Sequence, residues 1–310
     1  MKFALVFPGQ GSQSLGMMAA YGDSAAIRAT FDEASQVLGR DLWQLASEGP
    51  AETLNQTVNT QPLMLTAGVA VFRLWQELGG RLPDRVAGHS LGEYSALVAA
   101  GVLRFADAVP LVELRAQAMQ EAVPAGEGAM AAVLGLDAAA VKAACEESAQ
   151  GEVVEPVNFN TPEQTVIAGH AAAVRRAADA AKAKGAKRAV LLPVSAPFHC
   201  SLMKPAAERL RQRLAELPLS APSIPVINNA DVACLSEPQA IREALVRQAA
   251  SPVRWVETMQ AMAAQGIGQV YECGPGKVLA GLTRRCADGL SGGAMADRVG
   301  VEAALAATRA

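Results

Sequence analysis

The sequence predicts an α/β protein with a parallel sheet, and three observations support that fold class. Short apolar strands alternate with amphipathic helical segments along most of the chain, an order typical of parallel sheets. The pentapeptide Gly88-His-Ser-Leu-Gly92 lies where a short strand turns into a helix. Between residues 126 and 195 the predicted order is β-α-β-β-α-β, that of a ferredoxin-like (βαββαβ) domain. We therefore expect residues 126–195 to form a small subdomain, inserted into a large one made of residues 1–125 and 196–310.

The chain begins with a predicted buried strand at residues 2–7, followed by the glycine-rich loop Pro8-Gly-Gln-Gly-Ser-Gln13. This loop is not a phosphate-binding P-loop, because Met17 follows Gly16 where that motif requires lysine. It is not a dinucleotide-binding motif either, because the third glycine is missing. A loop at the carboxyl end of a parallel strand borders the crevice of the sheet. The amides of this loop can therefore face the same site as Ser90.

The remaining elements are predicted from hydrophobic periodicity and from capping or turn residues at the ends of segments. Helices are predicted at residues 25–38, 62–78, 107–122, 137–149, 171–184, 206–217 and 237–248, with another after the Gly274-Pro-Gly276 turn. Strands are predicted at residues 129–136, 153–159, 164–168, 188–194, 225–228 and 270–272. Residues 289–300, rich in glycine and serine, are predicted to be a mobile connection before a short C-terminal helix.

Composition and charge limit the classes of function. The chain has 310 residues, a formal net charge of −3 and no apolar run of the roughly 18 to 20 residues that a membrane span needs. Its five cysteines are widely spaced and form no C-x-x-C pair, which argues against a disulfide framework and a zinc site. The N-terminus lacks the features of a signal peptide. We expect a cytoplasmic protein with no metal, no membrane association and no nucleic-acid partner.

Ser90 is the candidate nucleophile. A serine hydroxyl reacts only where it is exposed and a base can take its proton, and a sharp strand-to-helix turn provides the exposure. Gly88 and Gly92 leave room for the strand and the helix to cross closely. The backbone N–H of Leu91 is placed to stabilise an oxyanion. The alternative is that Ser90 is only a small residue in a tight βα turn.

Three histidines could activate Ser90. His89 is adjacent to it in sequence, where side chains at a tight turn diverge, and His170 lies where a polar helix cap is the ordinary explanation. His199 lies in an irregular segment at the exit of the insert, where loop residues commonly carry chemistry, and is the preferred base. No carboxylate stands in a recognisable triad motif. A backbone carbonyl could orient the imidazole instead.

Arg115 interrupts an apolar helical stripe that includes Leu111, Ala118 and Met119. A buried arginine is almost always paired with a carboxylate, yet its neighbours on this face are apolar. One interpretation is that Arg115 reaches the edge of the stripe or pairs elsewhere in the fold. The other is that its partner is the carboxylate of a ligand, which a planar guanidinium binds with two hydrogen bonds.

Five motifs occur in the order and at the spacing of one family. They are Phe7-Pro-Gly-Gln-Gly-Ser-Gln13, Gly88-His-Ser-Leu-Gly-Glu-Tyr94, Pro156-Val-Asn-Phe-Asn160, Pro197-Phe-His199 and Glu272-x-Gly-Pro-Gly276. From Met1 to at least Arg285, the chain resembles the bacterial malonyl-CoA:acyl carrier protein transacylases of fatty-acid synthesis. The resemblance implies an α/β-hydrolase-like large subdomain with a ferredoxin-like insert. It also implies a reaction that needs no metal and no bound cofactor.

The resemblance assigns catalytic roles to individual residues. It implies that Ser90 is the nucleophile and His199 the base. It implies that the backbone carbonyl of Gln248 orients His199, which would explain the missing triad acid. The backbone amides of Gln10 and Leu91 would form the oxyanion hole.

Substrate binding follows from the same resemblance, which implies that Arg115 binds the malonyl carboxylate. Phe198, directly before the histidine, resembles the malonyl-selective form of a position where relatives that take branched substrates often carry serine. The other positions implied to line or border the pocket are Gln61, His89, Met119, Asn158 and Asn160.

The implied function is ping-pong transfer of a malonyl group from malonyl-CoA to the phosphopantetheine thiol of acyl carrier protein, through a malonyl-serine. We expect a monomer with a basic docking surface for the carrier. The candidate cations are Lys182, Lys184, Lys187, Arg188, Arg284 and Arg285. Two alternatives stay open here. One is a serine thioesterase or esterase that passes its acyl group to water, and the other is a non-catalytic carrier-binding module.

Overall fold

The computed structural model describes residues 1–309, which form two separate sheets surrounded by helices. Thirteen α-helices occur in these residues: α1 (Ala25–Leu38), α2 (Leu42–Glu48), α3 (Ala51–Leu54), α4 (Thr57–Glu77), α5 (Gly92–Ala99), α6 (Phe105–Glu121), α7 (Ala138–Ser148), α8 (Ala171–Ala183), α9 (Lys204–Glu216), α10 (Pro238–Ala249), α11 (Trp255–Ala264), α12 (Val278–Cys286) and α13 (Arg298–Thr308). The strands of the same residues are β1 (Phe3–Phe7), β2 (Arg85–Gly88), β3 (Gly128–Leu134), β4 (Val154–Thr161), β5 (Gln164–His170), β6 (Arg188–Leu191), β7 (Val226–Ile227), β8 (Gln269–Glu272) and β9 (Ser291–Ala294).

The larger sheet is parallel, with five strands in the order β7-β2-β1-β8-β9. Its central strand β1 is buried along its whole length because helices cover both faces. Successive side chains point to opposite faces, so Phe3, Leu5 and Phe7 join one hydrophobic cluster while Ala4 and Val6 join another. The first cluster includes residues of α1, α4, α6 and α9, and the second includes residues of α11 and α12. The carboxyl ends of β1 and β2 lie side by side, where the site forms.

The smaller sheet is antiparallel, with four strands in the order β4-β5-β3-β6. Its chain order is β3-α7-β4-β5-α8-β6, which confirms the predicted βαββαβ arrangement and the α/β fold class. Helices α7 and α8 pack on one face through a cluster that includes Val141, Ile167 and Val174. These elements lie within residues 126–195, the range proposed for the small subdomain.

Strand β4 of the smaller sheet is hydrogen-bonded to Val253, which lies two residues before α11. The backbone N–H of Val253 donates to the carbonyl of Val157 at 2.8 Å, and the N–H of Phe159 donates to the carbonyl of Val253 at 3.0 Å. Cys286 at the end of α12 also contacts this strand, with its Sγ 3.2 Å from the carbonyl oxygen of Asn160. The active-site residues of both parts are therefore brought together at a hydrogen-bonded junction.

Several predicted boundaries need correction. Helix α1 has the predicted bounds, but α4 begins at Thr57 rather than at residue 62, with Pro62 inside the helix. The prediction that residues 289–300 form only a connection was wrong, because β9 lies within them and pairs with β8. A Cβ at Gly292 would lie 2.4 Å from the carbonyl oxygen of Ala280, so close packing explains this glycine better than flexibility does. No helix in residues 1–309 is long and apolar enough to cross a membrane.

Candidate active site

Ser90 occupies the turn between β2 and α5. Its backbone has a φ of 53°, in the left-handed region that residues other than glycine rarely adopt. A Cβ at Gly88 would lie 1.9 Å from the backbone of Gly92, and one at Gly92 would lie 2.0 Å from the carbonyl oxygen of Phe7. The side chain of Asn229 fixes the turn, since its Oδ1 accepts the Ser90 N–H at 2.8 Å and its Nδ2 donates to the Gly88 carbonyl at 2.7 Å. This local geometry is the nucleophile turn that the sequence predicted.

The base predicted for Ser90 lies directly beside it. Ser90 Oγ is 2.6 Å from Nε2 of His199, and Nδ1 of His199 is 2.9 Å from the backbone carbonyl oxygen of Gln248. A carbonyl can only accept, so Nδ1 carries the proton and Nε2 is free to accept the serine proton. Burial, and next the charge of Arg115, lower the pKa of His199 to about 3. The imidazole is therefore neutral near pH 7, the state that a general base requires.

The other two histidines have partners away from the serine hydroxyl. Nε2 of His89 lies 2.8 Å from Oδ1 of Asn160, and its ring centre lies 5.3 Å from that of Trp255. Burial lowers the pKa of His89, so this ring is also held neutral. His170 accepts the backbone N–H of Val153 at 2.9 Å through Nδ1, inside the small sheet. These positions agree with a border role for His89 and a structural role for His170.

Arg115 is buried, with 2% of its surface exposed, and it lies beside the nucleophile. Its Nη1 donates to Oε1 of Gln61 at 2.8 Å, and its Nη2 donates to Oε1 of Gln248 at 2.9 Å and to Ser90 Oγ at 3.2 Å. All three acceptors are neutral. None of the ion pairs in residues 1–309 includes Arg115. Within residues 1–309 the guanidinium neither reaches the surface nor forms an ion pair with a carboxylate, so that binding of a ligand carboxylate stays a prediction.

A cavity of about 120 Å³ opens beside these groups, between the two sheets. Its lining residues are Gln10, Gln61, His89, Ser90, Leu91, Arg115, Met130, Asn158, Leu192, Val194, Phe198 and His199. Two predicted positions are not on this cavity: Met119 is fully buried in the core, and Asn160 reaches the site only through His89. The Oδ1 atom of Asn158 is buried and has no hydrogen-bond partner in residues 1–309, so it is available to a ligand.

Gln10 and Leu91 both border this cavity, as the predicted oxyanion hole requires. Within residues 1–309, the backbone N–H of neither residue donates a hydrogen bond. The loop that carries Gln10 packs tightly on the nucleophile turn, because a Cβ at Gly9 would lie 2.5 Å from the carbonyl oxygen of His89. The side chain of Gln10 accepts from Thr57 Oγ1 at 2.8 Å. Two free N–H donors beside a nucleophile are what stabilisation of an oxyanion needs.

The sequence did not indicate every residue of the site. Met130, Leu192 and Val194 line the cavity from the small subdomain, which only the packing of the two sheets determines. Glu93 and Asn229 are buried beside the nucleophile turn and were also missed. The signal for Glu93 was an acid within the mostly apolar segment Leu91-Gly-Glu-Tyr-Ser-Ala-Leu-Val-Ala-Ala100. In residues 1–309, no cluster of three or more histidine, cysteine or acidic side chains is arranged to hold a metal ion.

The fold and site are those of an acyltransferase, and the chain matches the model of the acyl transferase domain over residues 4–301. It therefore belongs to that family. It is 58% identical over 308 residues to the malonyl CoA-acyl carrier protein transacylase of Escherichia coli (strain K12), covering 98% of this chain and 99% of the relative. It is 46% identical over 306 residues to the transacylase of the same name from Bacillus subtilis (strain 168), covering 98% and 96%.

Solved structures agree with these relatives. The crystal structure of an acyl-carrier-protein S-malonyltransferase from Burkholderia pseudomallei 1710b has a TM-score of 0.97 and 59% sequence identity, covering 99% of this chain and 100% of that one. A complex of a type II PKS acyl-carrier protein with its malonyl-transacylase has a TM-score of 0.98 and 54% identity, with the same coverage. The family that the sequence motifs predicted is therefore confirmed.

Proposed function

We propose that this protein transfers the malonyl group of malonyl-CoA to the phosphopantetheine thiol of acyl carrier protein, through a malonyl-serine at Ser90. Its relatives over nearly the whole chain are malonyl CoA-acyl carrier protein transacylases. The observation that carries the assignment of the site is Arg115, a buried guanidinium without a carboxylate partner, whose Nη2 lies 3.2 Å from Ser90 Oγ. A malonyl group bound to Ser90 brings a carboxylate to that position.

The first half-reaction acylates the enzyme. Ser90 Oγ attacks the thioester carbonyl carbon while Nε2 of His199 takes the hydroxyl proton. As the new C–O bond forms, negative charge develops on the carbonyl oxygen, and the N–H groups of Gln10 and Leu91 stabilise it. The C–S bond then breaks, and coenzyme A leaves as a thiol with the proton from His199.

The second half-reaction reverses these steps with a different thiol. The phosphopantetheine thiol of the carrier gives its proton to His199 and attacks the acyl-serine carbonyl. The C–O bond to Ser90 breaks, and the serine oxygen regains the proton. The carbonyl of Gln248 holds Nδ1–H of the imidazole throughout, and Arg115 holds the malonyl carboxylate, so the acyl group keeps one orientation in both halves.

The remaining site residues have supporting roles in this proposal. Gln61 orients Arg115 through the 2.8 Å hydrogen bond, and Asn158 offers its free Oδ1 to the substrate. Phe198 closes one wall of the cavity against branched acyl groups. A second cavity of about 530 Å³ shares Gln10 and Val194 with the first, and it gives a path for the pantetheine arm. A monomeric state and a cytoplasmic location stay predictions.

The carrier would dock through exposed cations of the protein surface. Two of the six predicted cations are engaged on the surface, since Lys182 pairs with Asp179 and Lys184 with Glu147. In residues 1–309 the other four form no ion pair, and all four are exposed: Lys187, Arg188, Arg284 and Arg285. These four are the stronger candidates for contact with an acidic carrier.

A serine thioesterase would use the same serine and histidine, so the acceptor of the acyl group must be tested. Intact-mass measurement after mixing with malonyl-CoA should reveal a malonyl adduct that peptide mapping places on Ser90. Adding carrier protein that bears phosphopantetheine should move the adduct to the carrier. Release of malonate without the carrier would favour the thioesterase, and the absence of any adduct would favour a non-catalytic carrier-binding module.

A further inference from the structure

Glu93 is a buried carboxylate for which the mechanism above has no use. It is the second residue of α5, just after the nucleophile turn, and 2% of its surface is exposed. In residues 1–309 it takes part in no ion pair. Burying a carboxylate away from a cation is strongly unfavourable unless hydrogen bonds compensate. The groups that donate to Glu93 therefore indicate what it holds in place.

One oxygen of Glu93 connects the two segments that support the catalytic pair. Its Oε2 accepts the backbone N–H of Asn229 at 2.9 Å and Nε2 of Gln248 at 3.0 Å. Asn229 is the residue whose side chain fixes the N–H of Ser90. Gln248 also donates from Nε2 to the Ser90 carbonyl at 2.9 Å, and its own backbone carbonyl orients His199. Glu93 therefore contacts residues that in turn contact Ser90 and His199.

The side-chain amide of Gln248 has a donor end and an acceptor end, and Glu93, together with the Ser90 carbonyl, keeps the acceptor end toward Arg115. An ionised carboxylate can only accept, so it keeps the NH₂ group on its own side. The Oε1 atom then faces Arg115, which can only donate, and accepts from Nη2 at 2.9 Å. If the amide turned over, its NH₂ would face the guanidinium and its oxygen would face the carboxylate. Both contacts would be repulsive.

When it is ionised, Glu93 also places a negative charge near Arg115 without occupying the N–H groups of the guanidinium. Burial raises the pKa of Glu93 to about 7, while the hydrogen bonds from Asn229 and Gln248 and the charge of Arg115 oppose that rise. The attraction is mutual, because the charge of Glu93 opposes the effect of burial on the pKa of Arg115. A direct ion pair would take the face of the guanidinium that a substrate carboxylate needs. The intervening amide accepts from Nη2 alone, and in residues 1–309 the Nε–H of Arg115 has no partner.

We propose that Glu93 is a positioning residue that acts through Gln248 to hold Arg115 oriented and free for the malonyl carboxylate. The inference rests on the proposed function, in which Arg115 binds that carboxylate. It adds a residue that touches neither substrate nor reacting atoms, and whose loss changes which acyl group the enzyme selects.

The test compares three single variants by their selectivity. Glu93→Met removes the carboxylate at similar shape, Glu93→Gln keeps an acceptor oxygen, and Gln248→Met removes the amide while its backbone carbonyl still orients His199. The readout is the ratio of kcat/KM for acylation of Ser90 by malonyl-CoA to that by acetyl-CoA. Glu93→Met should lower this ratio about 10-fold or more, the scale for leaving buried polar groups unpaired. Glu93→Gln should recover most of that loss, because its amide oxygen can accept the same two hydrogen bonds.

A double variant tests whether Glu93 acts on selectivity through Gln248. If Glu93 acts through Gln248, then Glu93→Met introduced into Gln248→Met should change the ratio by less than about threefold. The matched control is Glu272→Met. Glu272 is also a fully buried carboxylate, but it accepts the backbone N–H of Ala280 at the start of α12 instead of contacting the site. This control should leave the ratio unchanged even where it lowers the melting temperature.

The outcomes separate a positioning role from a structural one. A ratio in Glu93→Met equal to that of the parent, with both acylation rates lowered in the same proportion, would assign Glu93 to the fold alone and overturn the proposal. If Glu93→Met does not fold, Gln248→Met decides, and a ratio equal to that of the parent would overturn the proposal. Failure of the proposed function is a distinct result, since the parent enzyme itself would then form no malonyl adduct on Ser90.

Discussion

Removing the guanidinium of Arg115 should convert the protein from a malonyl-selective enzyme into one that favours uncharged acyl groups. The change is Arg115→Ala, which makes the cavity less polar and deletes the positive charge next to Ser90. Acetyl-CoA has no carboxylate to pair with that charge. Transfer of the acetyl group should therefore hold steady or rise, while transfer of the malonyl group falls.

The size of the effect follows from the surroundings of Arg115. The guanidinium is 2% exposed and its hydrogen-bond partners in residues 1–309 are neutral, so a bound carboxylate would complete a buried charge pair. Truncating one partner of such a pair costs about 2 to 5 kcal/mol. Malonyl transfer should then fall roughly 30-fold to several thousand-fold. Arg115→Lys should rescue poorly, because one ammonium cannot span the acceptors of Gln61 and Gln248 and also bind a carboxylate with two parallel hydrogen bonds.

The assay is the ratio of kcat/KM for malonyl-CoA and acetyl-CoA, measured in the parent, Arg115→Ala and Arg115→Lys. Thermal unfolding of each variant shows whether the fold is retained, so a general loss of structure can be recognised. A ratio that is the same in Arg115→Ala as in the parent would refute the reasoning. Arg115 would then be a structural residue, and selectivity would come from the shape of the cavity.

Three other predictions test the nucleophile, the base and a buried acid. Ser90→Ala should abolish the malonyl adduct and leave the melting temperature nearly unchanged; an adduct on any other residue would contradict the nucleophile. His199→Ala should slow acylation about 10²- to 10⁴-fold and more than His89→Ala does, and the reverse order would mean that the base is misassigned. Burial raises the pKa of Glu272 from 4.5 to about 7, so the native state binds its proton more tightly and stability should fall by about 3 kcal/mol as pH rises through that window. Urea unfolding at pH 4.5 and pH 8 measures the free energy of unfolding of the parent and of Glu272→Gln, and the variant should lack this fall. Equal pH dependence in the two proteins would contradict the raised pKa of Glu272.

Local sequence patterns predicted most of the elements, and tertiary contacts decided those that were missed. Strand β9 has the sequence Ser-Gly-Gly-Ala, which has no preference for strands, and it forms because its backbone extends the parallel sheet beside β8. A Cβ at Gly293 would lie 2.7 Å from the ring of Tyr271, so the glycines follow from packing that the sequence alone does not reveal. Helix α11 was missed because no side-chain cap marks its start after Arg254.

The residues of the site also divide into those that local sequence predicted and those that depend on tertiary contacts. Ser90 was predictable because the nucleophile turn is local, and His199 because few histidines exist to choose from. Gln248 came only from family resemblance, since its contribution is a backbone carbonyl near the end of an ordinary helix. Glu93 was overlooked because an acid in the first turn of a helix usually needs no explanation beyond the helix dipole. Met119 lies on the same face of α6 as Arg115, but only the longer side chain of Arg115 reaches the cavity.

The cavity is lined on one side by residues 126–195 and on the other by the rest of the chain, and this arrangement affects how new substrate preferences can arise. Ser90 and Arg115, the proposed nucleophile and carboxylate-binding cation, lie outside residues 126–195, whereas Met130, Asn158 and Leu192 line the cavity from within that proposed insert. Mutations in the insert can therefore alter the volume offered to an acyl chain without disturbing proton transfer. Part of the substrate range can therefore change separately from the chemistry, because the insert that carries this wall is one continuous stretch of sequence between Ser90 and His199.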